Sequence, residues 1–106
     1  MNRLIIVARL KDGSHEAAEA LLRHGPPFDA EEVGLYRHGA YLTANEVVFT
    51  FEAPEVEWIV NDLVDDRVTS KAFAPWEGLI EGTPRLAHER FYWTREDSKL
   101  GVGLGA

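Results

Sequence analysis

The stretch from Arg3 to Leu10, RLIIVARL, carries apolar side chains on both of its alternating faces. Leu4, Ile6, Ala8 and Leu10 fall on one face, Ile5 and Val7 on the other. Its β-branched residues favour a strand, and a strand that is apolar on both sides is one covered on both sides. A chain of 106 residues forms one domain with a single modest core. Its own helices can cover one face of a sheet built on this strand; the second face needs another cover.

The remaining elements follow from periodicity. Asp12-Gly13-Ser14 is a turn with Ser14 as helix N-cap. A helix then runs to about His24, with Ala17, Ala18, Leu21 and Leu22 on its apolar stripe and Glu19 and Arg23 paired on its wet side. Gly25-Pro26-Pro27 stops it. A second strand is expected from Val33 to Leu42, with Gly39 marking a bulge or a close approach. Thr43-Ala44-Asn45 turns the chain into a third strand, Glu46 to Glu52, where Val47, Phe49 and Phe51 alternate with Glu46, Val48, Thr50 and Glu52. Pro54 opens a second helix with the stripe Val56, Ile59, Val60, Leu63 and Val64, Trp58 on nearly the opposite side, and Asp62, Asp65 and Asp66 on the wet surface. This helix is expected to end near Arg67. Pro75 starts a short helical piece, Gly82-Thr83-Pro84 reads as a turn, and the fourth strand is expected from Arg85 to Trp93. The order strand, helix, strand, strand, helix, strand is the α+β, ferredoxin-like βαββαβ arrangement with a four-stranded antiparallel sheet. Residues 1–93 form this domain. Residues 94–106 form a C-terminal tail, flexible or ordered by a partner subunit.

In that arrangement both helices lie on one face of the sheet. Ile5, Val7 and Val48 or Phe49 would leave the other face apolar, and exposed apolar area of that kind marks an interface. The expected partner is a second copy of the chain, the two sheets packing face to face. Charge disfavours nucleic acid and anionic membranes as partners: 18 acidic against 11 basic residues give a net charge of −7, which repels both. The chain has no cysteine, so disulfides, thiolate catalysis and cysteine metal sites are out. Its first apolar run is too short and too charged for a signal or membrane segment, and a cytoplasmic location is the expectation.

The residues able to carry chemistry cluster in the second strand and in the block Phe73 to Trp93, FAPWEGLIEGTPRLAHERFYW. In a strand ending at Trp93, His88, Arg90 and Tyr92 share one face and Glu89, Phe91 and Trp93 the other. His38 and His88 lie inside expected strands, where an imidazole is either a bonded structural group or a base or acid near neutral pH. His15 and His24 sit at helix ends. Arg9, Arg37 and Arg90, in or at strands, would hold a carboxylate, phenolate or enolate oxygen, or else pair with Glu46, Glu52 or Glu89 across strands. Tyr36, Tyr41 and Tyr92 are hydrogen-bonding candidates, and Phe73 and Trp76 either wall a pocket for a flat ring or are plain core. No HxH or HExxH pattern occurs, and no metal site is expected. Neither a nucleophile elbow nor a glycine-rich phosphate loop is present.

The layout, the EVVFTFEAP strand leading into a helix, and the late pattern of Trp76, Gly82, Pro84, Arg85, Ala87, Phe91, Tyr92 and Trp93 resemble the dimeric α+β barrel superfamily over about residues 3–93. That superfamily includes cofactor-independent quinone-forming monooxygenases, haem-degrading monooxygenases, polyketide cyclases and muconolactone isomerase-like proteins. The resemblance implies a ligand cleft in each subunit, between sheet and helices. Haem-degrading members have a histidine on the second helix as iron ligand; residues 55–72 contain none, and no cofactor is expected. Two functions then stand. One is a cofactor-independent monooxygenase or cyclase acting on an aromatic or polyketide-like compound, with His38 or His88 as base, Arg90 or Arg37 as oxyanion partner, and Trp76 and Tyr92 as ring-stacking walls. The other is a non-catalytic homodimer that binds a small apolar ligand or serves as a scaffold.

Overall fold

The structure is a computed structural model that describes residues 2–65 and 73–95, with the side chains of residues 64 and 65 left aside. The expected helix end near Arg67, Asp66, and the tail beyond Arg95 lie outside the described residues. The elements are β1 (Asn2–Leu10), α1 (His15–Arg23), β2 (Arg37–Leu42), β3 (Glu46–Ala53), α2 (Val56–Asp65), a short α3 (Ala74–Glu77) and β4 (Ile80–His88). The four strands form one sheet in the order β2-β3-β1-β4, antiparallel at every pairing. This is the expected ferredoxin-like α+β arrangement.

Register fixes which residues share a face. His38 pairs with Phe51, Phe51 with Leu4, and Leu4 with His88. These four form one transverse row on the helix side of the sheet. The next row is Ala40, Phe49, Ile6 and Leu86. Two clusters cover the helix side. Leu4, Leu35, Phe51 and Ala53 pack with Val56, Val60 and Leu63 of α2. Ala8, Leu10 and Val47 pack with Ala18 of α1 and Trp76 of α3. Each fully buried Val, Leu or Phe contributes about 1.5–3 kcal/mol. Phe49 touches both clusters and lies at the seam between them.

Two boundaries and one helix cap differ from the sequence expectation. The strand β2 begins at Arg37 rather than Val33. Asp29 Oδ1 accepts the Glu31 and Glu32 amides at 3.0 and 3.1 Å, Leu35 N–H donates to Ala30 O at 2.9 Å, and Gly34 takes φ +94°. Those local bonds hold the segment as a turn against its strand propensity. The strand β4 runs Ile80–His88 rather than Arg85–Trp93. Gly82-Thr83-Pro84 is not a terminal turn but an irregularity inside the strand, where pairing jumps from Arg9–Glu81 to Val7–Arg85. Gly82 supplies φ +75° there, and Pro84, lacking an N–H, is accommodated on an edge strand. Finally, Ser14 does precede α1, but its side chain makes no capping bond; it is buried instead.

The open face of the sheet is mixed rather than uniformly apolar. Ile5, Val7 and Val48 form its half-buried centre, and Tyr41 stands exposed beside them. Ion pairs ring this strip: Arg3 to Glu52 at 3.2 Å and to Glu89 at 3.1 Å, Arg85 to Glu46 at 3.1 Å, and Arg9 to Glu81 at 3.9 Å. Gly39 also faces this side, and a Cβ there would meet Thr50 Oγ1 at 2.9 Å, which explains the glycine as a close approach. No helix among the described residues is long and apolar enough to cross a membrane.

Candidate functional site

Between the two core clusters a cleft of about 890 Å³ opens on the helix side of the sheet. Its floor is the row Ala40, Phe49, Ile6 and Leu86. Leu21, Leu22 and the Gly25–Phe28 turn close one wall, Val60 and Leu63 the other, with Phe73 and Trp76 contributed by the α3 region. The polar lining consists of His38, Glu57, Asn61, Glu77 and His88. A cleft walled by rings and aliphatic groups with a few polar atoms is the usual form of a small-molecule site.

His38 is the polar group set deepest into this wall. It is half-buried on β2, with the rings of Phe51 at 4.7 Å, Phe28 at 5.3 Å and Phe49 at 6.5 Å between centroids. Its Nδ1 lies 2.9 Å from the Thr50 carbonyl oxygen. A carbonyl only accepts, so Nδ1 carries the proton and Nε2 is left as the basic atom. Burial pushes the imidazole below its ordinary value of 6.5, and the Thr50 bond offsets this only in part. The ring is therefore neutral at pH 7, oriented, and able to accept a proton.

His88 sits at the far end of the same transverse row, on the opposite edge of the sheet. Its side chain is half-exposed, with Nδ1 3.9 Å from Glu57 Oε1 of α2. Phe73 and Trp76 also line the cleft. Phe73 lies tilted beside Phe28 at 6.1 Å between centroids, and the buried Trp76 meets Phe49 edge-on at 5.4 Å. The other candidates lie elsewhere. Arg37 alternates with His38 and faces the open side of the sheet; Tyr36 is exposed just before β2. Since β4 ends at His88, Arg90 and Tyr92 do not continue its face. Arg90 is exposed beyond the strand, and Tyr92 lies under the Arg3 guanidinium at 4.6 Å. The expected shared face of His88, Arg90 and Tyr92 thus does not form. The arginine–carboxylate pairing across strands does form, although through Arg3 and Arg85 to Glu52, Glu89 and Glu46.

Several lining residues carried no usable signal. Phe28 lies in a loop without periodicity. Phe49 and Phe51 read as ordinary core. Glu57 and Asn61 belong to no motif, and only their i, i+4 spacing, which puts them on one side of a helix, links them. No group of three or more His, Cys, Asp or Glu able to hold a metal exists among the described residues.

By sequence, no family model and no curated protein matches the chain. Solved structures do. The tetracenomycin F2 cyclase of Streptomyces glaucescens, a type-II polyketide cyclase, superposes with a TM-score of 0.68 at 12% identity over 89% of this chain and 98% of its own. An antibiotic biosynthesis monooxygenase gives 0.65 at 10% identity over 87% and 99%. The L-rhamnose mutarotase FA22100 of Formosa agariphila gives 0.66 at 14% identity over 89% and 100%. At such identities the fold is what is shared. The chain therefore has the α+β fold of these cyclase, monooxygenase and mutarotase structures, the fold implied by its resemblance to the dimeric α+β barrel superfamily.

Proposed function

We propose that the chain binds a flat, largely apolar small molecule in its cleft and removes a proton from it with His38 Nε2 as base. The observation that carries this is the His38 environment: a neutral imidazole fixed by Thr50 and framed by three phenylalanine rings at the wall of an apolar cleft. A phenol or enolisable ring deprotonated there becomes an anion delocalised over its ring system, held against largely apolar side chains. Two reactions use that anion. In a cyclisation, its carbon attacks a carbonyl of the same molecule, a C–C bond forms, and the proton returns from His38 to the carbonyl oxygen. In a cofactor-independent monooxygenation, it reacts with dioxygen as co-substrate: one oxygen atom becomes the new quinone carbonyl and the other leaves as water with the two hydrogens that the substrate loses. The fold shared with a polyketide cyclase and an antibiotic biosynthesis monooxygenase supports this reaction class. In this reading His38, rather than His88, is the base, Phe73 and Trp76 are ring walls, and Arg37, Arg90, Tyr36 and Tyr92 have no catalytic part.

A second reading is a non-catalytic homodimer that only binds such a ligand. It is favoured by the use of Arg3 and Arg85 in pairs with Glu52, Glu89 and Glu46, away from the cleft. Both readings require ligand binding, which is tested by thermal shift. A phenolic or quinonoid compound at a hundred times its Kd stabilises by about 2.7 kcal/mol, a rise of about 10 °C or more for a domain of this size. A panel of such compounds that leaves Tm unmoved contradicts both.

The assembly proposed is a homodimer through the open sheet face, its apolar strip Ile5, Val7 and Val48 buried against the partner's copy and the ring of ion pairs as rim. Val7→Lys places an unpaired charge in that strip. It is expected to shift the species from dimer to folded monomer in sedimentation equilibrium. A wild-type chain that is monomeric at micromolar concentration contradicts the assembly.

A further inference from the structure

Glu57, Asn61 and His88 form a polar group at the end of the cleft opposite His38. Glu57 and Asn61 stand one turn apart on α2 and His88 projects from the end of β4; all three line the cleft. The Glu57–His88 separation of 3.9 Å exceeds a hydrogen bond, so both groups keep hydrogen-bonding capacity for a third group placed between or beside them. The two histidines end one row of four antiparallel strands. At about 4.8 Å per strand the row spans about 14 Å between backbones. Between the two histidines the adjacent row Ala40, Phe49, Ile6 and Leu86 offers an apolar floor long enough for a tricyclic body.

We infer that Glu57, Asn61 and His88 are a second ligand-anchoring subsite, and that the cleft takes an elongated, flat molecule with two polar ends: an acidic hydroxyl at His38 and a neutral hydrogen-bond donor at this subsite. The inference rests on the reading of the cleft as a ligand site with His38 as its base. The Glu57 carboxylate accepts a hydrogen bond from the distal group and disfavours an anion there. Asn61 and His88 supply a donor and a further acceptor. The middle of the ligand meets only apolar side chains, so a molecule too short to reach both ends loses one anchor.

Calorimetric titration of the full chain with 2,6-dihydroxyanthraquinone and with 2-hydroxyanthraquinone tests this. The dihydroxy compound is expected to bind about tenfold more tightly, the worth of one hydrogen bond to a charged group. In the Glu57→Ala/His88→Ala double variant that ratio is expected to collapse to about one. The single Glu57→Gln, at a largely exposed side chain, guards against misfolding and should reduce the ratio in the same direction. His38→Gln should weaken both compounds alike and preserve the ratio. Equal affinities in the wild type, or a ratio unmoved by both Glu57 variants, overturns the subsite while leaving the cleft reading intact, provided His38→Gln still weakens binding. Failure of both compounds to bind overturns the subsite and the cleft reading together.

Discussion

His38→Ala is expected to lower turnover of a responsive phenol or enolisable compound by about 10²–10⁴-fold, the usual worth of a positioned base, while far-UV dichroism is unchanged. The loss should fall mainly on kcat, with a smaller rise in KM from the lost His38 anchor, because the Phe28, Phe49 and Phe51 rings that frame the imidazole still bind the ligand's faces. His38→Gln keeps much of the shape and a hydrogen-bond donor to Thr50 but offers no basic nitrogen, so it should be as inactive as the alanine variant. The pH profile carries a sign. A base works when neutral, so kcat/KM should hold at neutral pH and fall as pH drops. Burial lowers the His38 value, which places this acid limb below the ordinary imidazole value of 6.5. Stability follows the same direction. The unfolded state takes up the proton first, so the His38 contribution is intact above about pH 6.5 and is lost as pH falls from there to the folded-state value, then levels off. An acid limb above pH 6.5, or full turnover in both variants, contradicts the assignment.

Trp76→Ala is expected to cost about 3–5 kcal/mol, lowering Tm by about 15 °C or more in a domain of this size. Trp76 is 7% exposed and joins α3 to a core of Ala8, Leu10, Ala18 and Val47. Ala8, Ala18 and Val47 are too small to fill the gap and Leu10 is held on β1, and the four sit on three different elements, so the space left behind cannot collapse easily. The edge-on contact with Phe49 is lost as well, which loosens the seam where the cleft lies. Trp58→Ala is the control: the same chemistry at 72% exposure should move stability by no more than about 0.5 kcal/mol. Equal losses at the two positions would contradict the placement of α3 against the sheet.

Much of the fold was legible because its signals are local and repeated. The two-sided apolar strand, the clean alternation of Glu46 to Glu52 and the stripe of α2 each set one element, and the element order set the topology. The second and fourth strands depart from propensity where a few local bonds or one or two residues outweigh it. Asp29 ties its own loop into a turn over residues that look extended. Gly82 and Pro84 read as a stop but are absorbed as an irregularity in an edge strand. That shift of β4 by five residues removed the face His88 was expected to share with Arg90 and Tyr92. The candidate site was half legible for a related reason. A histidine inside a strand announces itself, and His38, His88, Phe73 and Trp76 do line one cleft. The partners that define its chemistry, Phe28 from a loop and the Thr50 carbonyl from the neighbouring strand, depend on register, which periodicity does not report. Arginines likewise announce charge but not direction: Arg37 lies on the face opposite His38 because it is one residue away.

The most direct test of the cleft as a proton-transfer site is ¹⁵N NMR of histidine-labelled protein, titrated from pH 4 to 8 with and without a bound phenol such as 2-hydroxyanthraquinone. The His38 imidazole is expected to be Nδ1-protonated when neutral and to titrate below 6.5. Assigned to His38 by the His38→Gln variant, its Nε2 signal should move on ligand addition while those of His15 and His24 stay in place. A His38 that titrates at or above 6.5, carries its neutral-state proton on Nε2, or ignores the ligand would contradict it.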